Sequence, residues 1–584
     1  MPCLASWVRP DQILEQGSPR YYRYSYGSLW LGRVVHQLGR AAPLKDTMTP
    51  QATFATTPTA KAVPPDEFTV SPTSTENKQQ GELIKMMAFF GALVGLVAFM
   101  YDSAMDLALH IVWKVIPRTL ERMAAQSEDG LEILSRWAFL YTIAASVILA
   151  IGAGAAVRYL GYPGDLPNVV DCVHKLGYVP IKQTVPMIVA SLFSIAAGGS
   201  VGPEAPLVAV SAAISSWLSM NFFKHDIVMV QKCTIIGMSA GLGALFGVQL
   251  GGSLFALEVL NTMGMQFFET AVYSIGAGGI CLAVYRGLQG EAFGEIWTFA
   301  PVDLSTASDV VLGVLIGLAA SAVSIFFRAI FRGVAKGVER IGLGSFETTN
   351  RPIVLAALGG LSISILGVLL PPTMFWSEFE IGVIAEPGTD LPHVWPPGGL
   401  FYGLERYPWE TAPMYMLVGF VKLLAIACAV QAGFRGGFIF PLFFAGASIG
   451  RGLHMVLDSI LPEGFLNTSP ALMCVCFAAG LNTAIMRTPF ASPLILAALS
   501  GVHSATTPAV CASLTSLFIT RFHKFFDAQR DRADIKFVGN LPPISRPDKP
   551  DETNGSTTTP KEREASTLLA SAATNWEYST IEEG

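Results

Sequence analysis

An all-α, polytopic membrane protein with a polar site enclosed among its helices is the fold class the sequence predicts, and three observations predict it. Hydrophobic residues make up 51% of the 584 and charged residues only 14%, against about 25% charged in an ordinary soluble domain. Apolar segments follow one another from Leu83 to about Thr520. Many are shorter than the stretch of about 20 residues that a simple helical span needs, and they start or stop at Gly and Pro. Such segments read as broken, half-crossing helices. Irregular backbone at membrane depth is tolerated only where it is buried in protein or lines a polar cavity.

The same arithmetic excludes other classes. The net charge of −6 leaves no basic face for nucleic acid. The eight cysteines are scattered through mostly apolar stretches, where they read as small hydrophobes and form neither a disulfide framework nor a zinc site. His110, His174, His454 and His503 are dispersed without ligand spacing, and no nucleophile sits near a base, so nothing supports an enzyme, a metal centre or a cofactor.

Residues 1–82 are expected to be a disordered tail, rich in Thr, Ser and Pro from Thr47 to Thr75. Arg9, Arg20, Arg23, Arg33 and Arg40 with few acids fit either an organellar transit peptide or an ordinary cytosolic extension. The protein is thus expected in a plastid or other organellar membrane, or in the plasma membrane. Segments 83–100, 106–116, 136–156, 185–197, 205–219, 233–248, 252–264 and 270–285 form a first group. Segments 309–330, 352–370, 412–430, 438–449, 471–481, 489–500 and 506–520 form a second. Pro371–Pro413, with Trp376, Trp395, Trp409 and several prolines and acids, reads as a long aqueous or interfacial loop. Arg521, Lys524, Arg530, Arg532 and Lys536 follow the last segment and place the C-terminus on the cytoplasmic side or its equivalent.

Three Gly/Pro junctions interrupt the helices: Gly161-Tyr-Pro-Gly-Asp-Leu-Pro167, Gly198-Gly-Ser-Val-Gly202-Pro-Glu204-Ala-Pro206 and Gly433-Phe-Arg-Gly-Gly437-Phe-Ile-Phe-Pro441. Glycine permits a tight turn, and proline near the first helical position has no N–H to leave unpaired. Unpaired N–H groups and the positive end of the helix dipole then face whatever lies beyond each turn, the arrangement of an anion site built on discontinuous helices. Glu204 stands in an apolar stretch at one such turn, where an ionisable group implies function. A carboxylate there can occupy the place of an anion and yield it on protonation, which describes a gate. Glu258 is a second embedded acid, either a proton relay or a structural carboxylate at a helix end or subunit contact.

These elements resemble the CLC family of chloride channels and chloride/proton exchangers over roughly residues 83–535. Gly202-Pro203-Glu204-Ala205-Pro206 is similar to the family's G-x-E-G-P gating element, and Gly437-Phe438-Ile439-Phe440-Pro441 to its G-x-F-x-P element. Gly251–Glu258 and Met486-Arg-Thr-Pro489-Phe resemble two further signatures, in the family's order. The resemblance implies a CLC-type fold of two inverted repeats of broken and tilted helices, with halves at 83–290 and 309–526, a linker at 291–308 and a polar tail at 527–584. It implies a homodimer in the lipid bilayer, each subunit carrying its own path. Chloride is then the transported ligand, with nitrate or bromide as further substrates. The backbone amides of Phe438 and Ile439 match the pair that holds the central anion, and Glu204 matches the outer gate. Gly164 stands where the family's G-S-G-I-P turn has a serine hydroxyl, and Phe526 where it has an inner tyrosine. The inner proton glutamate of exchangers matches Val259, next to Glu258. A passive, glutamate-gated channel is therefore the expected function, with chloride/proton antiport as the alternative.

Overall fold

The computed structural model describes residues 74–126, 130–261, 268–290, 294–297, 299, 306–341, 350–378, 380–385, 411–461, 469–526, 528 and 529. The first part of the chain, where the transit-peptide reading falls, lies outside them, as do Trp395 and Trp409. Helices follow one another as α1 (Ser74–His110), α2 (Ile116–Ala124), α3 (Gly130–Leu160), α4 (Leu166–Lys175), α5 (Thr184–Ala196), α6 (Glu204–Asn221), α7 (Ile227–Leu245), α8 (Gln249–Glu258) and α9 (Phe268–Gln289). They continue as α10 (Ala307–Arg340), α11 (Arg351–Leu369), α12 (Glu380–Ala385), α13 (Ala412–Gln431), α14 (Ile439–Ile460), α15 (Pro470–Met486), α16 (Ala491–Ser500) and α17 (Thr506–Thr520). Among the described residues the isolated bridge is between Gly202 and Gly437. Among the described residues eight helical stretches are long and apolar enough to cross a bilayer, while α4, α8 and α16 have only ten residues each.

Local chemistry sets the ends of these elements. At α4 the side chain of Asp165 accepts from the Asn168 N–H (2.9 Å) and Pro167 occupies the first turn, which satisfies one of the orphan donors every helix start carries. Thr306 and Asp309 form a reciprocal capping box at α10. Ser469 caps α15 with Pro470 behind it. At the far end of α15, Arg487 takes a left-handed conformation (φ 66°) and donates from both terminal nitrogens to Thr520 Oγ1 (2.9 Å) and Thr520 O (2.7 Å). One buried cation thereby stops one helix and pairs the last carbonyl of another.

Four sequence expectations change. α1 begins at Ser74, inside the expected 1–82 tail, because its polar first turns extend the apolar helix beyond the apolar run. Segments 83–100 and 106–116 form one run through a single π turn, Ile111–Val115. Asp102 does not break it: its carboxylate accepts from Tyr285 Oη and Gln289 Nε2 on α9, both at 2.9 Å. The opening of the expected 371–413 loop is packed interior, with Pro371, Pro372, Thr373, Met374, Trp376 and Ser377 all buried and α12 following. At the C-terminal end Gln529, beyond the expected boundary at 526, is buried and donates Nε2 to Val259 O (3.2 Å) and Met486 O (3.0 Å).

The interior centres on α14, which packs between α13 and α15. α15 in turn contacts α10, α16 and α17, while α6 lies on α7, and α7 on α1, α8 and α9. The Gly202–Gly437 bridge joins the turn before α6 to the turn before α14, so two helix N-termini meet inside the protein.

Candidate functional site

Glu204 is the first residue of α6, fully buried, and its Oε1 accepts from the N–H of Phe440 in the first turn of α14 at 3.0 Å. The carboxylate of one helix start therefore lies at the positive end of another. Gly202 and Gly437 exchange two backbone hydrogen bonds beside it (2.6 and 2.8 Å). A Cβ at Gly202 would run into Glu204 Oε2, and one at Gly437 would lie 2.5 Å from the same atom. These two glycines are the space the carboxylate occupies. Its Oε2 has no hydrogen-bond partner among the described residues. A buried carboxylate with one oxygen unpaired is held weakly, since an unmade hydrogen bond to a charged group is costly.

Phe438 is the N-cap of α14 and Ile439 its first residue, both buried. Among the described residues no protein acceptor faces their N–H groups. The Phe438 ring meets Phe526 at 5.9 Å and Phe525 at 6.1 Å between centroids. Phe525 stacks on Phe327 of α10 (5.4 Å) and meets Phe331 edge-on (4.9 Å). The aromatic pair after α17 is thus clamped by α10 against the start of α14. Gly164 sits in the turn before α4 with φ 78°. Its carbonyl accepts from Arg435 Nη1 at 2.9 Å, and a Cβ there would meet Asn168 Oδ1 at 2.8 Å and Gln183 Oε1 at 3.1 Å. A serine at 164 would need a left-handed backbone and would press on two amide oxygens, so this turn is built for glycine.

The two candidates for a proton path stand differently. Glu258 closes α8, fully buried, and accepts from the N–H of Ala491 at 3.0 Å and of Phe490 at 3.3 Å. It caps the N-terminus of α16, an anionic group placed against a helix dipole. Val259 is buried and offers its carbonyl to Gln529. Of the histidines, His174 meets the carbonyl of Leu260 at 2.7 Å. No group of three metal-ligating side chains occurs among the described residues.

Two residues that sequence reasoning passed over organise the surroundings. Lys422, fully buried in α13, donates Nζ to Thr373 O (3.2 Å), Met374 O (3.1 Å), Phe375 O (2.7 Å) and Ser377 Oγ (2.7 Å). The ammonium is the hub that folds the segment after α11. A lone lysine inside the apolar run 412–430 was the available signal. Arg435, in the turn before α14, ties that turn to the one before α4 through Gly164.

A model of the voltage-gated chloride channel family matches residues 154–521, which include both glycine turns, Glu204 and the whole of α14. The chain belongs to the voltage-gated chloride channel family. Curated relatives of this family member include the ion-transport protein YfeO from several Escherichia coli strains. In strains UMN026 and K12 it is 24% identical over 428 residues, covering 72% of this chain and 90% of the relative. Among solved structures, a slow cyanobacterial Cl⁻/H⁺ antiporter superposes with TM-score 0.59 at 15% identity, over 75% of this chain and 94% of that one. A CLC-type fluoride/proton antiporter superposes with TM-score 0.55 at 19% identity, over 79% and 99%. The likeness establishes the fold: the protein is an all-α, multi-pass integral membrane protein of the CLC type.

Proposed function

We propose that the protein moves chloride across its membrane, with nitrate and bromide as further substrates, and that Glu204 is the gate. The observation that carries this reading is the hydrogen bond from Phe440 N–H to Glu204 Oε1. It puts a titratable carboxylate at the helix N-terminus where an anion would be held, beside the N–H groups of Phe438 and Ile439. Protonation removes the charge that competes with the anion, and rotation of the side chain clears the donor. Flux of chloride from liposomes containing purified protein tests it, with Glu204→Gln as the diagnostic variant. The homodimer implied by the family resemblance is part of the same proposal and is checked by the mass of the detergent-solubilised protein.

Two readings of the coupling remain in competition. Passive transport is supported by the alkyl side chain of Val259, which carries no proton, and by the commitment of the Glu258 carboxylate to α16. Chloride/proton exchange is supported by the solved neighbours, two of which are described as proton-coupled antiporters. A chloride gradient imposed on liposomes holding a pH-sensitive dye separates them. Uphill proton movement that depends on chloride selects exchange, and dissipation of the gradient without it selects the passive path.

A further inference from the structure

Arg435 presents a charge that gating by Glu204 leaves unused. It lies in the turn between α13 and α14 and is 6% exposed. Its backbone N–H donates to Ser194 Oγ (3.0 Å), its Nη1 donates to Gly164 O (2.9 Å), and its Cζ stands 4.6 Å from the centroid of the Tyr162 ring. Its Nε is buried with no acceptor, and Nη1 is the one guanidinium nitrogen that meets a protein acceptor among the described residues. The carboxylate next to Gly164, that of Asp165, is engaged in capping α4 through the Asn168 N–H.

A guanidinium stays charged at any physiological pH, and burying it without a counter-charge costs several kcal/mol. The carbonyl of Gly164 and the face of Tyr162 offset part of that cost. The Nε–H and Nη2–H bonds lie side by side along the other edge, a rigid fork whose spacing fits two oxygens of one planar anion. The residue also joins the turn holding Gly164 to the start of α14, two of the places from which the family resemblance draws anion ligands. A buried cation whose Nε is left unpaired between them is a recognition element in its own right.

We propose that the Nε/Nη2 edge of Arg435 is an anion-recognition site at the Gly164 turn that takes a small planar oxyanion, with nitrate as the probe, in two parallel hydrogen bonds. A spherical halide engages the fork less well, so the site favours nitrate over bromide. The inference rests on the reading of the chain as an anion transporter and adds a substrate preference to it.

The test uses the purified full-length protein, with nitrate and bromide binding measured by calorimetry and flux measured in liposomes. The wild type should bind nitrate about tenfold tighter than bromide, a margin in keeping with one additional charge-assisted hydrogen bond. Arg435→Lys keeps a cation and a donor for Gly164 but has no fork, and should bring the two affinities within about twofold, with a monodisperse gel-filtration profile as the control for folding. Equal affinities in the wild type overturn the proposal whether or not the variant folds, as does a nitrate preference that survives in Arg435→Lys. Chloride flux without a nitrate preference removes this site and leaves the transport reading standing. A nitrate preference without any flux removes the transport reading and keeps the site.

Discussion

Gly202 and Gly437 form an antiparallel pair that exchanges two N–H···O bonds, and the Glu204 carboxylate fills the space where either residue's Cβ would be. The two positions nevertheless differ. At Gly202 the obstacle is the carboxylate alone, the mobile end of a side chain. At Gly437 it also includes Glu204 Cβ at 2.8 Å and the Ala205 backbone nitrogen at 2.9 Å. Gly202→Ala should therefore push the carboxylate off the Phe440 N–H and raise anion flux. Gly437→Ala should instead cost about 1–3 kcal/mol, the range of an overpacked core, and lower the thermal midpoint in detergent. Similar behaviour of the two variants would contradict this division.

Glu204→Gln keeps an oxygen that can accept from Phe440 but removes the charge. Flux through the variant should exceed that of wild type at neutral pH and vary little between acid and neutral pH. Wild-type flux should rise as external pH falls. Measurement of chloride efflux against pH in both proteins checks the sign, and a wild-type pH profile retained in the variant would remove Glu204 from the gate.

At Glu258 the expected loss is in stability. Removing the carboxylate in Glu258→Ala strips the acceptor from the N–H groups of Ala491 and Phe490, with a cost of about 1–3 kcal/mol for buried donors left unpaired. Glu258→Gln retains one acceptor oxygen and should lose less. Thermal unfolding ranks them as wild type, Gln, Ala. A Glu258→Gln protein with full stability but no chloride-driven proton movement, where wild type has it, would make this residue a relay.

Lys422 is expected to be a folding determinant. Phe375 and Ser377 hold left-handed φ values of 56° and 57°, a conformation that costs non-glycine residues about 1 kcal/mol or more each, and the ammonium holds their acceptor atoms in place. Lys422→Met would leave three carbonyls and a hydroxyl without their shared donor. A loss of more than about 3 kcal/mol follows, visible as little or no monodisperse protein. A Met variant as stable as wild type would refute the tether.

Fold class was legible because apolar runs and their Gly/Pro interruptions are local facts. So was the place of Glu204 at a helix start, since a carboxylate in an apolar stretch beside Gly and Pro stands out wherever it pairs. The partners of Glu258 were not legible, because Phe490 and Ala491 are over 200 residues away in sequence and only packing brings α8 to the start of α16. Gly164 looked like a position lacking a hydroxyl. Its φ of 78° and the amide oxygens of Asn168 and Gln183 identify it as a turn that needs glycine. Segment 371–378 read as a loop because its prolines and acids are polar signals, while the lysine that buries it lies some 45 residues further on.

By itself the sequence determined that the chain lives in a membrane, that its helices are interrupted, and that ionisable groups sit at the interruptions. These follow from the cost of exposing polar backbone and charge to lipid, which acts residue by residue. The tertiary structure decided which helix start faces which carboxylate: Glu204 meets α14, Glu258 meets α16, and Arg435 meets the turn before α4. Those pairings depend on hydrogen bonds about 3 Å long between distant segments, and a distance across the fold is not encoded at any single position along the chain.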